Sequence, residues 1–322
     1  MTQHQNLLQG VAPGQISFIY GHPDPTLYPL ADLRSLLAQV LDAEHGPFAL
    51  GYGPEQGHRP LIDYLRQKFL HDEGLVVEQE NLLLTLGSTY AVNLITCLYT
   101  RPDDVVFVEA PTYHDAIAVF RDYPLQLRQI PVDDEGLRVD ALARALEDTL
   151  YKGQRPALLY TVPNFQNPSG VTLSEERRRR LLSLVRGYDM YIIEDDVYRD
   201  LCYEGDVPPS LYALAGGDPV LRVGSFSKIL GPGLRLGWVM AAPRHIERLT
   251  RSGVMRMAGG ANPLTAHLVA AYCQQGLLEP HIAELVTAYR ARRDVMLAAL
   301  EAHMPEGVRW TRPRGGFFVW VT

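Results

Sequence analysis

The sequence predicts an α/β protein of three layers, with helices on both faces of a mostly parallel β-sheet. Short apolar runs alternate with amphipathic segments between Leu82 and Ala241. The runs lack polar alternation, as is typical of strands that are covered on both faces. The alternation of runs and amphipathic segments is that of βαβ units. The predicted strands are residues 82–86, 105–108, 125–130, 158–162, 190–193, 220–223 and 238–240.

Predicted helices lie between these strands and on either side of the sheet region. Residues 174–188 show the start signals of a helix. Ser174 can cap it, and Glu175 and Glu176 place carboxylates in its first turn, where the helix dipole favours them. The last predicted helix is long enough to bridge two domains. The predicted helices are residues 30–44, 61–71, 139–149, 174–188, 262–275 and 279–303.

The composition excludes several classes of protein. The 322 residues carry 30 basic and 37 acidic side chains, which gives a net charge of −7, and 47% of them are hydrophobic. This acidic balance argues against a general nucleic-acid-binding protein, which needs clustered positive charge. No apolar stretch reaches the roughly 18 residues that span a bilayer, and residues 1–13 are polar. We therefore expect a cytoplasmic protein with no nucleic-acid or membrane partner.

Cysteine and lysine counts limit the chemistry. The three cysteines lie far apart and form no C-x-x-C pair. They predict neither a disulfide framework nor a zinc ribbon, and no metal site is expected. The chain has only three lysines, so any lysine-dependent chemistry has few candidates. These are Lys68, Lys152 and Lys228.

Polar loops follow five of the predicted strands at their carboxyl ends. In open α/β sheets, ligands bind in the crevice outside these ends. We therefore expect the loops to converge on one crevice with hydroxyl-rich turns, an amide, an acidic pair, two tyrosines and a lysine. The loops are Gly87-Ser88-Thr89 and residues 109–113, 163–168, 194–198 and 224–228.

These loops contain candidate groups for a phosphate and for a reactive amine. Gly87-Ser88-Thr89 at a helix start offers N–H groups and hydroxyls to an anion, although simple N-capping also explains this tripeptide alone. A second candidate anion site consists of Ser225, Ser227, Lys228 and Arg235. Desolvation and a nearby arginine both lower the pKa of an amine, which favours Lys228 as a nucleophile over a solvent-exposed lysine.

Asp195 and Tyr198 add a carboxylate and a phenol in one turn to the same predicted crevice. They complete a set of motifs that extends over nearly the whole chain. The motifs are Gly21-His22-Pro23-Asp24-Pro25, Tyr52-Gly53-Pro54 with Gly57, Gly87-Ser88-Thr89, Pro111-Thr112-Tyr113, residues 164–170, Asp195 with Tyr198, Ser225-Phe226-Ser227-Lys228 and Arg235-Leu236-Gly237-Trp238. In this order and spacing, the set resembles the pyridoxal-phosphate (PLP) aminotransferases of fold type I, class I/II. Within them it is most similar to the aminoadipate/kynurenine aminotransferase group and the related domain of MocR-type regulators.

The resemblance implies a role for each of these side chains in binding PLP. Lys228 would hold PLP covalently, and Asp195 would pair with the pyridine nitrogen so that the ring can act as an electron sink. Asn167 and Tyr198 would donate to the phenolate oxygen of PLP, and Tyr113 would stack on its ring. The phosphate would be bound by Ser88, Thr89, Ser225, Ser227 and Arg235.

The resemblance also implies a homodimer and a reaction. Tyr52 would reach the phosphate in the neighbouring subunit, and Gly21 and Asn167 would lie near the substrate. Other candidate lining residues are Tyr20, His22 and Leu27. The implied reaction is ping-pong transfer of an amino group between an L-amino acid and a 2-oxo acid. Its catalytic residues would be Lys228, Asp195 and Tyr198.

The resemblance predicts a division into three parts. Residues 1–46 would be an N-terminal segment that packs with a small domain, 47–278 the large PLP-binding domain, and 279–322 a bridging helix and the start of the small α+β domain. Residues 317–321 predict the opening of a strand with no later partner, so we expect the small domain to be incomplete and the chain to be a fragment. The family's substrate-carboxylate arginine would lie beyond Thr322, since Arg309, Arg312 and Arg314 do not match it.

Other chemistries compete with this interpretation. Ser225-x-x-Lys228 has the S-x-x-K spacing of penicillin-binding proteins, but the S-D-N and K-T-G elements are missing. A nicotinamide enzyme is disfavoured because no G-x-G-x-x-G follows a strand. Decarboxylation, β-elimination and racemisation by PLP stay open, as does a non-catalytic PLP-binding effector domain.

Overall fold

One sheet of eight strands organises the molecule, with the strand order β1-β8-β7-β6-β5-β2-β3-β4. The computed structural model describes residues 18, 21–42, 44–257 and 260–322. The strands are β1 Leu82–Thr85, β2 Val105–Ala110, β3 Gln126–Asp133, β4 Gly136–Leu137, β5 Pro156–Thr161, β6 Tyr191–Asp195, β7 Val220–Ser225 and β8 Gly237–Met240. Every predicted strand before residue 241 is confirmed, and the short β4 is an addition.

The sheet is parallel in its centre. Strands β3, β2, β5, β6 and β7 are parallel neighbours. β8 runs antiparallel between β7 and β1, so β1 again points in the same direction as β7. The carboxyl ends of β1, β2, β5, β6 and β7 therefore lie at one edge of the sheet, as the predicted crevice requires.

Helices cover both faces of this sheet. Within the described residues the helices are α1 Leu30–Val40, α2 Gly46–Ala49, α3 Arg59–Glu73, α4 Gly87–Tyr99, α5 His114–Arg121, α6 Val139–Tyr151, α7 Glu175–Val185, α8 Leu211–Ala215, α9 Pro243–Thr250, α10 Gly253–Arg256, α11 Pro263–Gln274 and α12 Leu278–His303. None of the helices in the described part of the chain is long and apolar enough to cross a membrane.

Two hydrophobic clusters form the core, one on each face of the sheet. Alternate residues of a strand enter different clusters, as with Leu83 and Leu84 in β1. The cluster that contains Leu83 is covered by α4, α5 and α9. The other is covered by α3, α6, α7 and α11, together with the first half of α12. The predicted three-layer arrangement is therefore confirmed.

Residues before and after the sheet region meet at α12. The backbone N–H of Asp24 donates to the hydroxyl of Tyr289 on α12, at 3.1 Å, and α1 packs on α11. The strand predicted at 317–321 is wrong in extent. Only one isolated bridge forms there, between Trp310 and Val321, because the segment first passes over the crevice.

Candidate active site

A cavity of about 470 Å³ lies at the carboxyl ends of the strands. This volume is in the range of small-molecule sites. Every residue to which the resemblance gives a role in PLP binding, substrate contact or catalysis lines it, except Tyr52. These lining residues are Gly21, Ser88, Thr89, Tyr113, Asn167, Asp195, Tyr198, Ser225, Ser227, Lys228 and Arg235.

Asp195 ends β6 and points a buried carboxylate at this cavity. Its Oδ2 accepts a 2.6 Å hydrogen bond from the hydroxyl of Tyr160, whereas its Oδ1 is buried with no hydrogen-bond partner among the described residues. Burial raises the pKa of this carboxyl to about 6, although the Tyr160 hydrogen bond and the charge of Lys228 lower it. An unsatisfied buried acceptor is costly, so Oδ1 fits a ligand that offers a hydrogen-bond donor.

Lys228 lies in the turn that follows β7, and its amine is the second reactive group of the cavity. Nζ donates to the carbonyl oxygen of Gly21 at 3.0 Å. Burial lowers the pKa of this amine to about 8; the carboxylate of Asp195 opposes that effect and the Arg235 guanidinium adds to it. The direction of this pKa is the one expected from the sequence. Lys68 and Lys152, in contrast, pair with carboxylates of Asp72, Asp200 and Asp148.

Three polar side chains from different loops surround Asp195 and Lys228. Tyr198 is buried, hydrogen-bonded to Asn167, and lies with its ring centroid 5.8 Å from Nζ of Lys228. Burial raises the pKa of the Tyr198 phenol, and the charge of Asp195 raises it further. Tyr113, which precedes α5, donates to Asp115 at 2.6 Å. Both phenols are therefore neutral hydrogen-bond donors at ordinary pH.

The opposite side of the cavity fits an anion. The N-terminus of α4 lies there with Ser88 and Thr89 in its first turn, where N–H groups have no intrahelical partner. Arg235 lies against it, since a Cβ on Gly87 would be only 2.8 Å from Nη2. The Arg235 side chain is exposed and has no described carboxylate within 4.0 Å, and its backbone has a left-handed φ of 47°. An unpaired cation beside a helix N-terminus predicts an anionic ligand.

Two serines extend this anion site. Ser225 Oγ donates to Ser227 Oγ at 2.8 Å and accepts from the Ser227 N–H at 3.0 Å. Gly237 on β8 lets β7 and the start of α4 approach it closely behind these serines. A Cβ on Gly237 would lie 2.6 Å from the Gly224 carbonyl oxygen and 2.9 Å from the backbone nitrogen of Ser88. A side chain at Gly237 would push α4 away from the cavity.

The C-terminal segment covers the remaining side of the cavity. A Cβ on Gly21 would lie 2.4 Å from Cζ of Phe318, so glycine is required where these two segments meet. His22 also lines the cavity, and burial and the charge of Lys228 lower the pKa of its imidazole. Leu27 instead packs against the hydrophobic core, and Tyr20 lies outside the described residues.

Sequence reasoning missed several residues that build the site. Tyr160 lies inside an apolar strand, so nothing in the sequence distinguishes it from a core aromatic residue. Gln166 donates to Glu109 Oε2 at 3.1 Å and to the Pro111 carbonyl at 2.7 Å, which joins the loop that carries Asn167 to the loop after β2. Only its position next to Asn167 in a polar loop could have indicated it.

Comparison with known proteins agrees with this geometry. An aromatic-amino-acid aminotransferase 1 of Thermococcus litoralis is 38% identical over 311 residues, which are 95% of this chain and 73% of that protein. The crystal structure of a kynurenine aminotransferase of Pyrococcus horikoshii, in complex with PMP, superposes with a TM-score of 0.91 at 38% identity and covers 100% of this chain and 79% of its own.

A protein of another kind is also similar. YisV, an HTH-type transcriptional regulator of Bacillus subtilis, is 34% identical over 306 residues, which are 94% of this chain and 60% of the regulator. The family model described as aminotransferase class I and II matches residues 26–322. The chain therefore belongs to the class I and II aminotransferase family.

Proposed function

We propose that this chain binds PLP in the cavity at the strand ends and transfers an amino group from an L-amino acid to a 2-oxo acid. The observation that carries the proposal is the pairing, in one cavity, of a lysine with a lowered pKa and a buried carboxylate with one unpartnered oxygen. The matched family and the kynurenine aminotransferase crystallised with PMP support the same cofactor and reaction.

The residues present fit PLP in charge and chemistry. Oδ1 of Asp195, which has no hydrogen-bond partner among the described residues, would accept a hydrogen bond from the protonated ring nitrogen, and Lys228 would hold the cofactor covalently. The phosphate of PLP would bind at the N-terminus of α4, next to the guanidinium of Arg235. Hydroxyls of Ser88, Thr89, Ser225 and Ser227 would complete the phosphate site. Asn167 and Tyr198 would donate to the phenolate oxygen, and Tyr113 would stack on the ring.

When bound, PLP supplies an electron sink for negative charge that develops at the substrate Cα. Once the substrate amine has displaced it, Lys228 Nζ would take the proton from this carbon and pass it to the cofactor, because a pKa of about 8 leaves part of the amine neutral near neutral pH. Asp195 stabilises positive charge on the ring nitrogen. Phe318 and Gly21 narrow the opening and limit access of water. An amino acid leaves as its 2-oxo acid, and a second 2-oxo acid takes up the amino group.

A homodimer is part of this proposal. Tyr52 is 95% exposed and does not line the cavity of its own chain, which supports contact of its hydroxyl with the phosphate of a second subunit. Phe48 and Leu50, in the same segment, are 73% and 69% exposed, so an apolar patch surrounds Tyr52. The cytoplasmic location stays a prediction.

The division of the chain is also proposed. Residues 47–278 hold the sheet and every strand-end loop of the cavity, and α12 begins at Leu278, next to the predicted boundary at 278/279. Residues 1–46 would pack with the bridging helix, as the Asp24 to Tyr289 hydrogen bond supports. That the small domain is incomplete stays a prediction. Arg309, Arg312 and Arg314 are not among the described residues that line the cavity, so they leave the substrate carboxylate without an assigned partner.

The single-turnover half-reaction tests the proposed function. Protein loaded with PLP is mixed with aromatic, acidic and branched L-amino acids, and release of the 2-oxo acid is measured. Aromatic donors come first, given the names of the relatives. Lys228→Ala should slow the half-reaction at least about 100-fold, because it removes the group that moves the proton. The matched control is Lys152→Ala, which removes an exposed lysine directly after α6 and should keep the wild-type rate.

Retention of the wild-type rate by Lys228→Ala would contradict the proposal. Release of carbon dioxide, or of ammonia with a 2-oxo acid, in place of stoichiometric amino transfer would favour a decarboxylase or a β-lyase instead. The family and its named aminotransferases do not favour these alternatives or the effector domain.

A further inference from the structure

Among the described residues, Tyr160 is the one side chain that hydrogen-bonds to the carboxylate of Asp195. It lies in β5, is fully buried, and its hydroxyl donates to Asp195 Oδ2 at 2.6 Å. Its ring packs edge-on against Phe120 with centroids 5.7 Å apart, so the hydroxyl has a fixed position. Tyr160 pairs with Ile193 across the sheet, two residues before Asp195, which places both side chains on the same face.

The hydrogen bond makes the two oxygens of Asp195 different. Oδ2 is occupied by Tyr160, and Oδ1 has no partner among the described residues. A carboxylate bound at one oxygen by a rigid donor cannot rotate freely about its Cβ–Cγ bond. Oδ1 is therefore presented in a defined direction, at the wall of the cavity that Asp195 and Tyr160 both line.

The groups around Asp195 have opposing effects on its charge. Burial disfavours the ionised carboxylate, and Asp196 in the same turn disfavours it further. Glu109, across β5 on β2, interacts repulsively with it as well. The Tyr160 hydroxyl and the amine of Lys228 favour the charge, and the Tyr160 hydrogen bond is the largest favourable contribution. Tyr113 and Tyr198 are neutral phenols at this wall.

We propose that Tyr160 is a positioning residue whose hydroxyl keeps Asp195 ionised and turns Oδ1 towards the ring nitrogen of PLP. The inference rests on the proposed function, because it requires Asp195 to face that nitrogen. Tyr160 acts through Asp195 and takes no part in proton movement at the substrate.

The test is the dissociation constant, Kd, of PLP for Tyr160→Phe and for the wild type, measured by absorbance titration at pH 6.5 and pH 9. Removal of the hydroxyl should raise the pKa of Asp195 by about one pH unit or more. A change of this size is typical when a hydrogen bond to a charged group is lost. The Kd of Tyr160→Phe divided by that of the wild type should therefore be near one at pH 9 and rise to about threefold at pH 6.5. Ionisation of PLP itself cancels in this ratio.

Tyr99→Phe is the matched control. It removes another buried tyrosine hydroxyl, bonded to His245 at 2.7 Å, from the same hydrophobic cluster but away from the cavity. Its Kd ratio should stay near one at both pH values. A ratio for Tyr160→Phe that is equal at pH 6.5 and pH 9 would overturn the inference, since a purely structural loss weakens binding at both. A wild-type protein that does not bind PLP would instead overturn the proposed function.

A second measurement needs no variant of Tyr160. The carboxyl carbon of Asp195 can be followed by 13C NMR in the wild-type protein without PLP, and identified by its absence in Asp195→Asn. The inference predicts an ionised carboxylate at pH 7.5. A carboxyl that is still protonated at that pH would show that Tyr160 does not keep it charged.

Discussion

The floor and the rim of the cavity differ in how their polar groups are satisfied. The floor comprises buried polar groups on the strands or next to them, of which only the first two line the cavity itself among the described residues: Asp195, Tyr160, Glu109, Asp196 and Arg222. The rim comprises Ser88, Thr89, Tyr113 and Arg235. Arg222 on the floor is 1% exposed and bonded to Asp196 and Glu73, whereas Arg235 on the rim bonds only to the Pro232 carbonyl among the described residues.

This difference separates groups that stabilise the fold from groups that are available to bind a ligand. Floor groups are hydrogen-bonded within the protein, so their loss leaves buried polar groups with fewer partners. Rim groups have few hydrogen-bond partners among the described residues and are available to an anion. The exception on the floor is Oδ1 of Asp195, which has no partner there and therefore belongs functionally with the rim.

The largest expected effect is on the stability of the floor. Arg222 donates to Asp196 Oδ2 at 2.7 Å and to Glu73 Oε1 at 2.7 Å, and its guanidinium lies 5.7 Å from the ring centroid of Trp238. Arg222→Met would leave the carboxylates of Asp196 and Glu73 with Arg199 as their remaining cation among the described residues, at 3.9 Å and 3.4 Å, and lower the free energy of unfolding by about 3–5 kcal/mol. Urea denaturation of the protein without PLP measures this change.

Arg179→Met is the control for that experiment. Arg179 is also an arginine in an ion pair, with Glu175 at 2.6 Å, but both side chains are largely exposed. Its removal should cost about 0.5 kcal/mol or less. Equal losses for the two variants would remove the distinction between a bonded floor and an exposed surface.

The second effect is on affinity at the rim. Arg235→Ala removes the cation beside the N-terminus of α4 and should weaken PLP binding about 10- to 100-fold, as expected for hydrogen bonds to a charged group. The free energy of unfolding without PLP should change by no more than about 0.5 kcal/mol, because the side chain is exposed. Arg244→Ala, at another exposed arginine, should leave the affinity unchanged. A large loss of stability for Arg235→Ala would place this residue with the floor.

The smallest effect is a change in the pH dependence of stability. Burial raises the pKa of Glu109 to about 7 from an ordinary 4.5, against hydrogen bonds from Thr161, Val162 and Gln166. A raised carboxyl pKa contributes stability that is fully present below about pH 4.5 and is lost as the pH rises to about 7. Glu109→Gln should remove this decline, which is at most about 1.4 kcal/mol per pH unit.

Urea denaturation between pH 4.5 and pH 7 checks the Glu109 prediction, again without PLP. The control is Glu176→Gln, at an exposed glutamate in the first turn of α7. An unchanged slope for Glu109→Gln would mean that this carboxyl does not change its protonation on folding.

The residues at the carboxyl ends of the strands were more predictable from the sequence than the residues inside the strands. Ser88, Lys228 and Asp195 come directly after apolar runs, and the carboxyl ends of parallel strands must meet at one edge. Tyr160 and Arg222 lie inside such runs, so their partners depend on which strands are neighbours and in what register. Sequence periodicity carries no information on either. Phe318 covers the cavity from a segment nearly a hundred residues beyond Lys228, so only the folded chain shows this contact.

The most direct test of the account is to identify the lysine that PLP occupies. The purified protein is incubated with PLP, reduced with borohydride and digested, and the modified peptide is mapped. The account predicts a reduced adduct on Lys228, whose amine has a lowered pKa and lies beside Asp195, while Lys68 and Lys152 are paired with carboxylates. An adduct on Lys68 or Lys152, or none, would contradict it.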